Sequence, residues 1–249
     1  MRAIILAAGV GMRLGGGMPP KSLIRFDERS LLERHLASLR ALDVAEVEVG
    51  IGYEAEAMRD ELRALGVGSW VHTTYNPDYH EGNVVTLACV AHALRRGGDV
   101  LLMDADVLYH RALMERLVRS RHGNCFLLDR DIEPGEEPVK ICVRDGAIVE
   151  FRKAVAPDLV HDFHGESVGF FKLGEAMAVR LADTADAYLA AGRRGEYYEE
   201  ALRDLVLADS QAFGFEDITG LPWIEIDFQA DIERARAEVL PRIHEMEAA

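Results

Sequence analysis

Cysteine is scarce in this chain: three residues in 249, at Cys89, Cys125 and Cys142. Each lies in an apolar periodic segment and no metal-ligand spacing joins them. Neither a zinc module nor a disulfide framework is expected, and they read as free buried thiols of a reducing compartment. Positive charge is also short. Lys and Arg total 28 against 43 Asp and Glu, a formal net charge of −15. A general nucleic-acid binder would carry a basic face, so nucleic acid is not an expected partner. A small anionic substrate remains compatible, because a local basic pocket can sit in an acidic protein. No apolar run approaches membrane-spanning length, and the short apolar start lacks the form of a signal peptide. Membrane insertion is therefore not expected, and the cytoplasm is. Two common nucleotide motifs are missing. GxGxxG fails because Leu14 stands at its third glycine, and GxxxxGK[ST] does not occur. The histidines give no zinc pattern, and Ser22 and Ser167 have no base-and-orienter arrangement beside them.

What is present begins at once. The first residues read MRAIILAAGVGMRLGGGMPPKSLIR. An apolar run, Ala3 to Ala8, enters a segment with Gly9, Gly11, Gly15, Gly16 and Gly17. Arg13, Lys21 and Arg25 accompany it, and no acidic residue appears before Asp27. A buried strand running into flexible, locally cationic backbone suits a nucleotide polyphosphate. Its amides approach closely and its basic side chains neutralise charge. The plain alternative is a surface loop, but Arg13 and Lys21 bracket the segment. Pro19-Pro20 restricts the backbone just before Lys21.

Strand and helix patterns alternate through the first half. Strands are expected at 3–8, 47–51, 71–74, 100–103 and 125–128. Helices are expected after a Ser30/Glu33 capping box, over 54–65 ending at Gly66, from Asn83 through Leu94, and over 112–119. This alternation implies an α/β fold, with a mostly parallel mixed sheet flanked by helices. The rhythm then changes. Segments 139–143 and 147–151 flank Asp145-Gly146, a hairpin signal. An extended run at 168–171, helices at 176–181 and 197–207, a strand at 223–226 and a last helix at 231–239 follow. Pro134-Gly135 marks a loop. The expected organisation is one domain over 1–249. A nucleotide-binding half spans about 1–130, and an acceptor and metal-binding elaboration spans 131–249.

Two acidic clusters close strands. Asp104 and Asp106 end an apolar run, and alternation puts them on one side. Glu225 and Asp227 alternate with Ile224 and Ile226 after Trp223. Carboxylates from distant strand ends suit one magnesium ion that also touches phosphate oxygens. Each acid has a structural alternative as a cap or a solvated strand end. For Asp106 and Asp227 the carboxyl end of a strand, where ligands of open α/β sheets collect, favours function.

The opening AIILAAGVGMRLGGGMPPKSL resembles the signature of nucleotidyltransferases that join a nucleoside triphosphate to a phosphorylated sugar or alcohol. The likeness continues through LLMDADVL, EPVKICV, IVEFRK, GESVGFF and WIEIDFQADI, over nearly the whole chain. The small size and the segment YNPDYHEGNVVTL resemble most the bacterial CTP-dependent phosphocholine cytidylyltransferases, with phosphonate and inositol-phosphate enzymes related. The resemblance implies a Rossmann-like fold and a set of roles. Ala8, Gly9 and Gly11 shape backbone contacts to the nucleotide, and Glu81, Gly82 and Asn83 surround the base. Asp104 joins the nucleotide set. Arg13 and Lys21 hold the triphosphate, Asp106 and Asp227 hold Mg2+, and Lys153 meets the acceptor phosphate. Taken alone, Lys153 reads as a surface residue at a hairpin end, Asn83 as a helix cap and Glu81 as a solvated acid.

The implied partners are CTP and a small phosphorylated or phosphonate acceptor. An acceptor oxygen attacks the α-phosphorus and pyrophosphate leaves. Phosphate acceptors are already ionised near neutral pH, so no general base is required. For the acceptor head group, Tyr197, Glu199 and Glu225 offer an aromatic face and carboxylates to a choline or aminoethyl cation. The segment 133–138, which supplies a further aromatic in choline enzymes, supplies none here. That raises aminoethylphosphonate as the rival. An inositol-phosphate enzyme, a sugar-1-phosphate enzyme and a catalytically inactive nucleotide-binding domain are the other readings. Self-association is compatible with an apolar patch, but no interface is legible.

Overall fold

Burial begins at the third residue. In β1 (Arg2–Ala7) the residues Ala3, Ile4 and Ile5 are fully inaccessible, and the strand lies in the middle of the main sheet. A continuous apolar run is what a parallel strand covered on both faces requires. The structure is a computed structural model, and it describes residues 1–15, 18–132 and 138–248.

After β1 the chain makes two short 3₁₀ turns, Met12–Leu14 and Lys21–Leu23. A small hairpin, β2 (Arg25–Phe26) and β3 (Arg29–Ser30), leads into α1 (Leu31–Ala41). Ser30 caps α1 as expected, its hydroxyl accepting from the Glu33 amide at 3.1 Å. Next come β4 (Val47–Ile51), α2 (Ala55–Ala64) and β5 (Val71–Tyr75). The helix expected from Asn83 through Leu94 is two pieces, α3 (Asn83–Cys89) and α4 (Ala91–Leu94), hinged at Val90. Then follow β6 (Val100–Asp104), β7 (Val107–Tyr109), α5 (Ala112–Arg119) and β8 (Cys125–Asp129).

The second half opens with the anticipated hairpin, β9 (Lys140–Arg144) and β10 (Ala147–Arg152). Its turn residues Asp145 and Gly146 have φ of 52° and 76°, the paired positive values of a tight hairpin turn. β11 (Phe163–Leu173) is much longer than its apolar centre suggested. α6 (Glu175–Ala190) and α7 (Tyr198–Ala208) follow. β12 (Gly214–Asp217), which carries no strong pattern, precedes β13 (Trp223–Glu225). The last helical run extends beyond the expected 231–239. It comprises α8 (Gln229–Arg234), a π-helical stretch over Ala235–Val239 and α9 (Leu240–Glu247). Pro241 explains the π turn: it has no amide to donate, so the ladder reopens before it.

The main sheet runs β10-β9-β11-β6-β1-β4-β5, with β8 also on β11 and β12 on β8. The stretch β6-β1-β4-β5 is wholly parallel, as the alternation implied. β11 is antiparallel to three strands. Its first half, Phe163–Glu166, pairs with β9, and its second half, Phe170–Leu173, pairs with β6. β8 runs along it too, with a register shift between Ser167 and Phe171. Helices cover both faces, giving one apolar cluster with α3, α6 and α7 and another with α1, α2 and α5. The loop expected at Pro134-Gly135 lies outside the described residues. No helix among the described residues is long and apolar enough to cross a membrane. The three cysteines are free thiols; Cys125 and Cys142 are buried and Cys89 is half-buried.

His35, on α1, is fully buried. Its Nε2 lies 3.2 Å from the Ala105 carbonyl and its Nδ1 3.4 Å from the Tyr109 hydroxyl. The carbonyl can only accept, so Nε2 carries the proton. Burial pushes the imidazole from its ordinary 6.5 down to about 4. The unfolded chain thus takes up a proton that the folded chain refuses across this window. Stability is expected to fall as pH drops from 6.5 to 4, by up to about 3 kcal/mol from this group. Urea unfolding of His35→Gln across the same range should show a shallower decline than the unsubstituted protein.

Candidate active site

The cation side of the site is built by the loop after β1. Ala8 is buried, and Gly9 and Gly11 line a cleft of about 360 Å³. Gly11 sits in the left-handed region at φ 64°, and a Cβ there would come within 3.1 Å of Lys21 Cγ. The glycine lets the chain turn and lets the Lys21 stem lie across it. Pro20 precedes the 3₁₀ turn that starts at Lys21, and its carbonyl accepts from the Leu23 amide at 2.8 Å. Leu14, Ile24 and Phe26 join Leu108, Ile224, Ile226 and Ile232 in a third apolar cluster. This cluster draws the N-terminal loop against the segment around β13.

The acidic side comes from β6, β7 and β13. β6 ends at Asp104, and Asp106 lies in the bend before β7. β13 pairs antiparallel with β7, outside the main sheet, and the Ile226 amide donates to the Asp106 carbonyl at 2.9 Å. Asp106 and Asp227 therefore end side by side. Asp231, at the start of α8, accepts from the Asp227 and Phe228 amides at 2.9 and 2.7 Å and fixes that backbone. One carboxylate oxygen each of Asp106, Glu225 and Asp227 lies within 4.8 Å of the others. The cluster draws on both sides of residue 130, Asp106 before it and Glu225 and Asp227 after it.

The two sides meet at Lys21. Its Nζ lies 2.9 Å from Asp106 Oδ2 and 2.6 Å from Asp227 Oδ1. Arg13 Nη1 reaches the other oxygen of Asp227 at 3.1 Å. Burial alone would lower the Lys21 pKa; Asp106 and Asp227 outweigh it and hold the ammonium firmly charged. Burial alone would raise the Asp227 carboxyl; Lys21 and then Arg13 outweigh it and hold it below the usual range.

The floor is a second polar set. Asp104 Oδ2 accepts from the Tyr198 hydroxyl at 2.8 Å. Burial, followed by the neighbouring Glu199 and Asp106, pushes the Asp104 carboxyl well up. Gly169, at the irregularity of β11, has φ 76°, and a Cβ there would stand 2.1 Å from Asp104 Oδ2. Asn83 is not the cap of its own helix, a position held by Gly82. Its Oδ1 instead accepts from the Tyr198 amide at 2.6 Å and so caps α7. Asn83 also supports Glu199, whose carboxyl burial pushes to about 7. The Oε2 of Glu199 is buried and has no hydrogen-bond partner among the described residues.

The residues expected on the acceptor side converge on the same cleft. α7 is tied to the β9–β10 hairpin by Arg203 on Glu150 at 2.6 Å and Arg152 on Glu200 at 2.9 Å. This brings Lys153 and Tyr197 together, the Lys153 ammonium 5.7 Å from the ring centroid. Lys153, Tyr197, Glu199 and Glu225 all line the cleft with Arg13, Lys21, Asn83, Asp104, Asp106 and Asp227. Glu81 and Gly82 do not. Glu81 pairs with Arg194 at 2.5 Å. Gly82 is pressed against the 194–196 backbone, where a Cβ would meet the Glu196 carbonyl oxygen at 2.1 Å. Gly16, Gly17 and residues 133–137 of the loop lie outside the described residues. The sequence does not single out Tyr198 or Gly169, the two residues that contact or crowd Asp104.

A parallel sheet whose first strand ends in a cationic glycine turn, facing carboxylates at the neighbouring strand ends, defines a Rossmann-like nucleotidyltransferase. The chain belongs to the MobA-like NTP transferase family, whose sequence pattern matches residues 3–159. It is 29% identical over 242 residues to a CMP-5'-(3-aminopropyl)phosphonate synthase of Streptomyces rubellomurinus. That alignment takes in 94% of this chain but only 38% of the relative. It is 25% identical to a CTP:phosphoglutamine cytidylyltransferase of Campylobacter jejuni, over 94% of this chain and 98% of the relative. The inositol-1-phosphate CTP transferase from T. maritima has the same fold, with a TM-score of 0.75. Its identity is 21%, and 98% of this chain and 96% of that one are covered.

Gly169→Ala is expected to destabilise the fold by about 1–3 kcal/mol, since the backbone strain and the clash with Asp104 act together. Urea unfolding measures it. A loss no larger than that of Gly9→Ala, where a Cβ meets nothing within 4 Å, would count against this packing.

Proposed function

We propose that this chain is a magnesium-dependent cytidylyltransferase that transfers CMP from CTP to a small phosphoryl amine and releases pyrophosphate. The observation that carries the reading is the cleft in which Lys21, Arg13 and Lys153 face Asp106, Glu225 and Asp227. The Mg2+ would be held by Asp106 and Asp227, with Glu225 within reach. Clustered carboxylate oxygens fit such a hard cation, and Lys21 already stands among them as a stand-in charge. When bound, the ion supplies charge neutralisation at the phosphate oxygens.

The chain's own residues do the rest. The Gly9–Gly11 backbone and Arg13 receive the triphosphate. Lys21 offsets the charge that builds on the α-phosphate as the acceptor oxygen forms its bond and the bond to the β-phosphate breaks. Lys153 steers the acceptor phosphate into line. The attacking oxygen is already ionised, so no side chain must remove a proton.

Within the phosphoryl amines, one observation favours an aminoalkyl acceptor over phosphocholine. Glu199 Oε2 is an acceptor awaiting a donor. A primary ammonium brings three N–H groups, whereas a trimethylammonium brings none and would leave that oxygen unpaired. Tyr197, the aromatic face in this cleft, already has the Lys153 ammonium over it. The phosphonate-amine relative points the same way.

Pyrophosphate release across CTP, UTP, ATP and dTTP tests the reading. The acceptors are aminoethylphosphonate, phosphocholine, inositol 1-phosphate and a hexose 1-phosphate. CTP with an amine acceptor should lead. Preference for dTTP or UTP with the hexose phosphate would overturn it, and tight nucleotide binding with no pyrophosphate formed would indicate a binding domain. Asp106→Asn and Asp227→Asn should each lower turnover by about a hundredfold or more while leaving the urea midpoint nearly intact. Lys153→Ala should raise KM for every acceptor by roughly tenfold. Tyr197→Ala removes the ring beneath the Lys153 ammonium and should raise KM for every acceptor by about fivefold. A loss confined to phosphocholine would instead put a choline head group on that ring.

A further inference from the structure

Asp227 has no oxygen left over. Lys21 holds Oδ1 at 2.6 Å and Arg13 holds Oδ2 at 3.1 Å. Lys21 also holds Asp106 Oδ2 at 2.9 Å. A magnesium ion binds carboxylate oxygens at about 2.0–2.1 Å and tolerates little distortion. An ammonium bridging these same two carboxylates occupies the space, and the charge balance, that the ion needs. We propose that Lys21 is the resident counter-ion of this cluster and that a divalent cation and the triphosphate displace it together. This inference rests on the metal reading above and concerns what Lys21 does before either ligand arrives.

The side chains of Lys21, Asp106 and Asp227 are only 17%, 18% and 19% exposed, so none of these charges is well hydrated. Entry of a divalent cation alone would push a desolvated ammonium away from the two carboxylates that hold it. Entry of a triphosphate alone would draw the ammonium off and leave two carboxylates facing each other uncompensated. Both costs vanish when the ligands arrive as a pair: the ion takes the carboxylates and Lys21 takes the phosphates. The Lys21 stem rests on Gly11, so its ammonium needs only to turn about that support to face the Gly9–Gly11 backbone that lines the same cleft. The coupling is reciprocal, each ligand raising the affinity for the other.

The test measures Mn2+ binding to nucleotide-free protein by electron paramagnetic resonance, a readout independent of turnover. Lys21→Met keeps the stem and removes the charge. It is expected to bind Mn2+ about tenfold or more tightly than the unsubstituted protein, because the competing cation is gone. Lys21→Arg, which keeps the charge, should bind Mn2+ as weakly as the unsubstituted protein. Adding Asp227→Asn to Lys21→Met should abolish the gain. If Lys21→Met does not fold, Lys21→Gln makes the same comparison. Equal or weaker Mn2+ binding in a folded Lys21→Met or Lys21→Gln variant overturns the proposal while leaving the metal reading intact. No Mn2+ binding by any of these proteins, with pyrophosphate still formed in metal-free buffer, overturns the metal reading and the proposal with it.

Discussion

The bridge from Lys21 to Asp106 and Asp227 is the interaction on which the geometry of the cleft depends. It joins residues 21, 106 and 227, three points that sequence separation keeps far apart. Desolvating three charges is costly, and replacing such a group with apolar residues often leaves a protein no less stable. The fold nevertheless builds it from three directions. The glycine turn after β1 aims Lys21, the bend after β6 aims Asp106, and the β7–β13 pairing aims Asp227. The Leu14, Ile24 and Ile224 cluster provides the apolar contact that holds these directions together. His35, donating to the Ala105 carbonyl from within the core, fixes the bend from beneath.

Much of this frame was legible in the sequence. β4 and α5 fall on the expected residues because the alternation Val47, Val49, Ile51 and a 3.6-residue stripe each leave one interpretation. The Asp145-Gly146 turn is equally local, since it needs only two residues that accept positive φ. What stayed hidden depends on partners. β11 extends to Phe163 because β9 is there to pair with its polar end, and no property of Phe163-His164-Gly165 announces this. β12 exists because β8 offers an edge. The split after Cys89 and the continuation past Val239 reflect local breaks in helical hydrogen bonding rather than loss of apolar pattern.

The site divides in the same way. Asp106 and Asp227 drew notice because each follows an apolar strand, and Lys21 because Pro19-Pro20 restricts the backbone before it. The resemblance supplied Lys153 and Tyr197, and the cleft contains both. Glu81 and Gly82 were nominated by their segment alone, yet they serve the contact with residues 194–196. Asn83 was in the right place for a different reason, capping a helix more than a hundred residues away. Tyr198 could not be singled out at all, because its role is a single hydrogen bond to Asp104 that only the folded chain creates.

β11 has one further consequence. The β9–β10 hairpin joins the main sheet through the first half of β11, and β6 meets only the second half. The two halves are separated by the irregularity at Gly169, where the ladder to β8 also breaks register. The first half of β11 thus carries the hairpin, and the second half carries the edge of β6, whose last residue is Asp104. One strand therefore serves two walls of the same cleft: Lys153 follows the hairpin paired with its first half, and Asp104 ends the strand paired with its second.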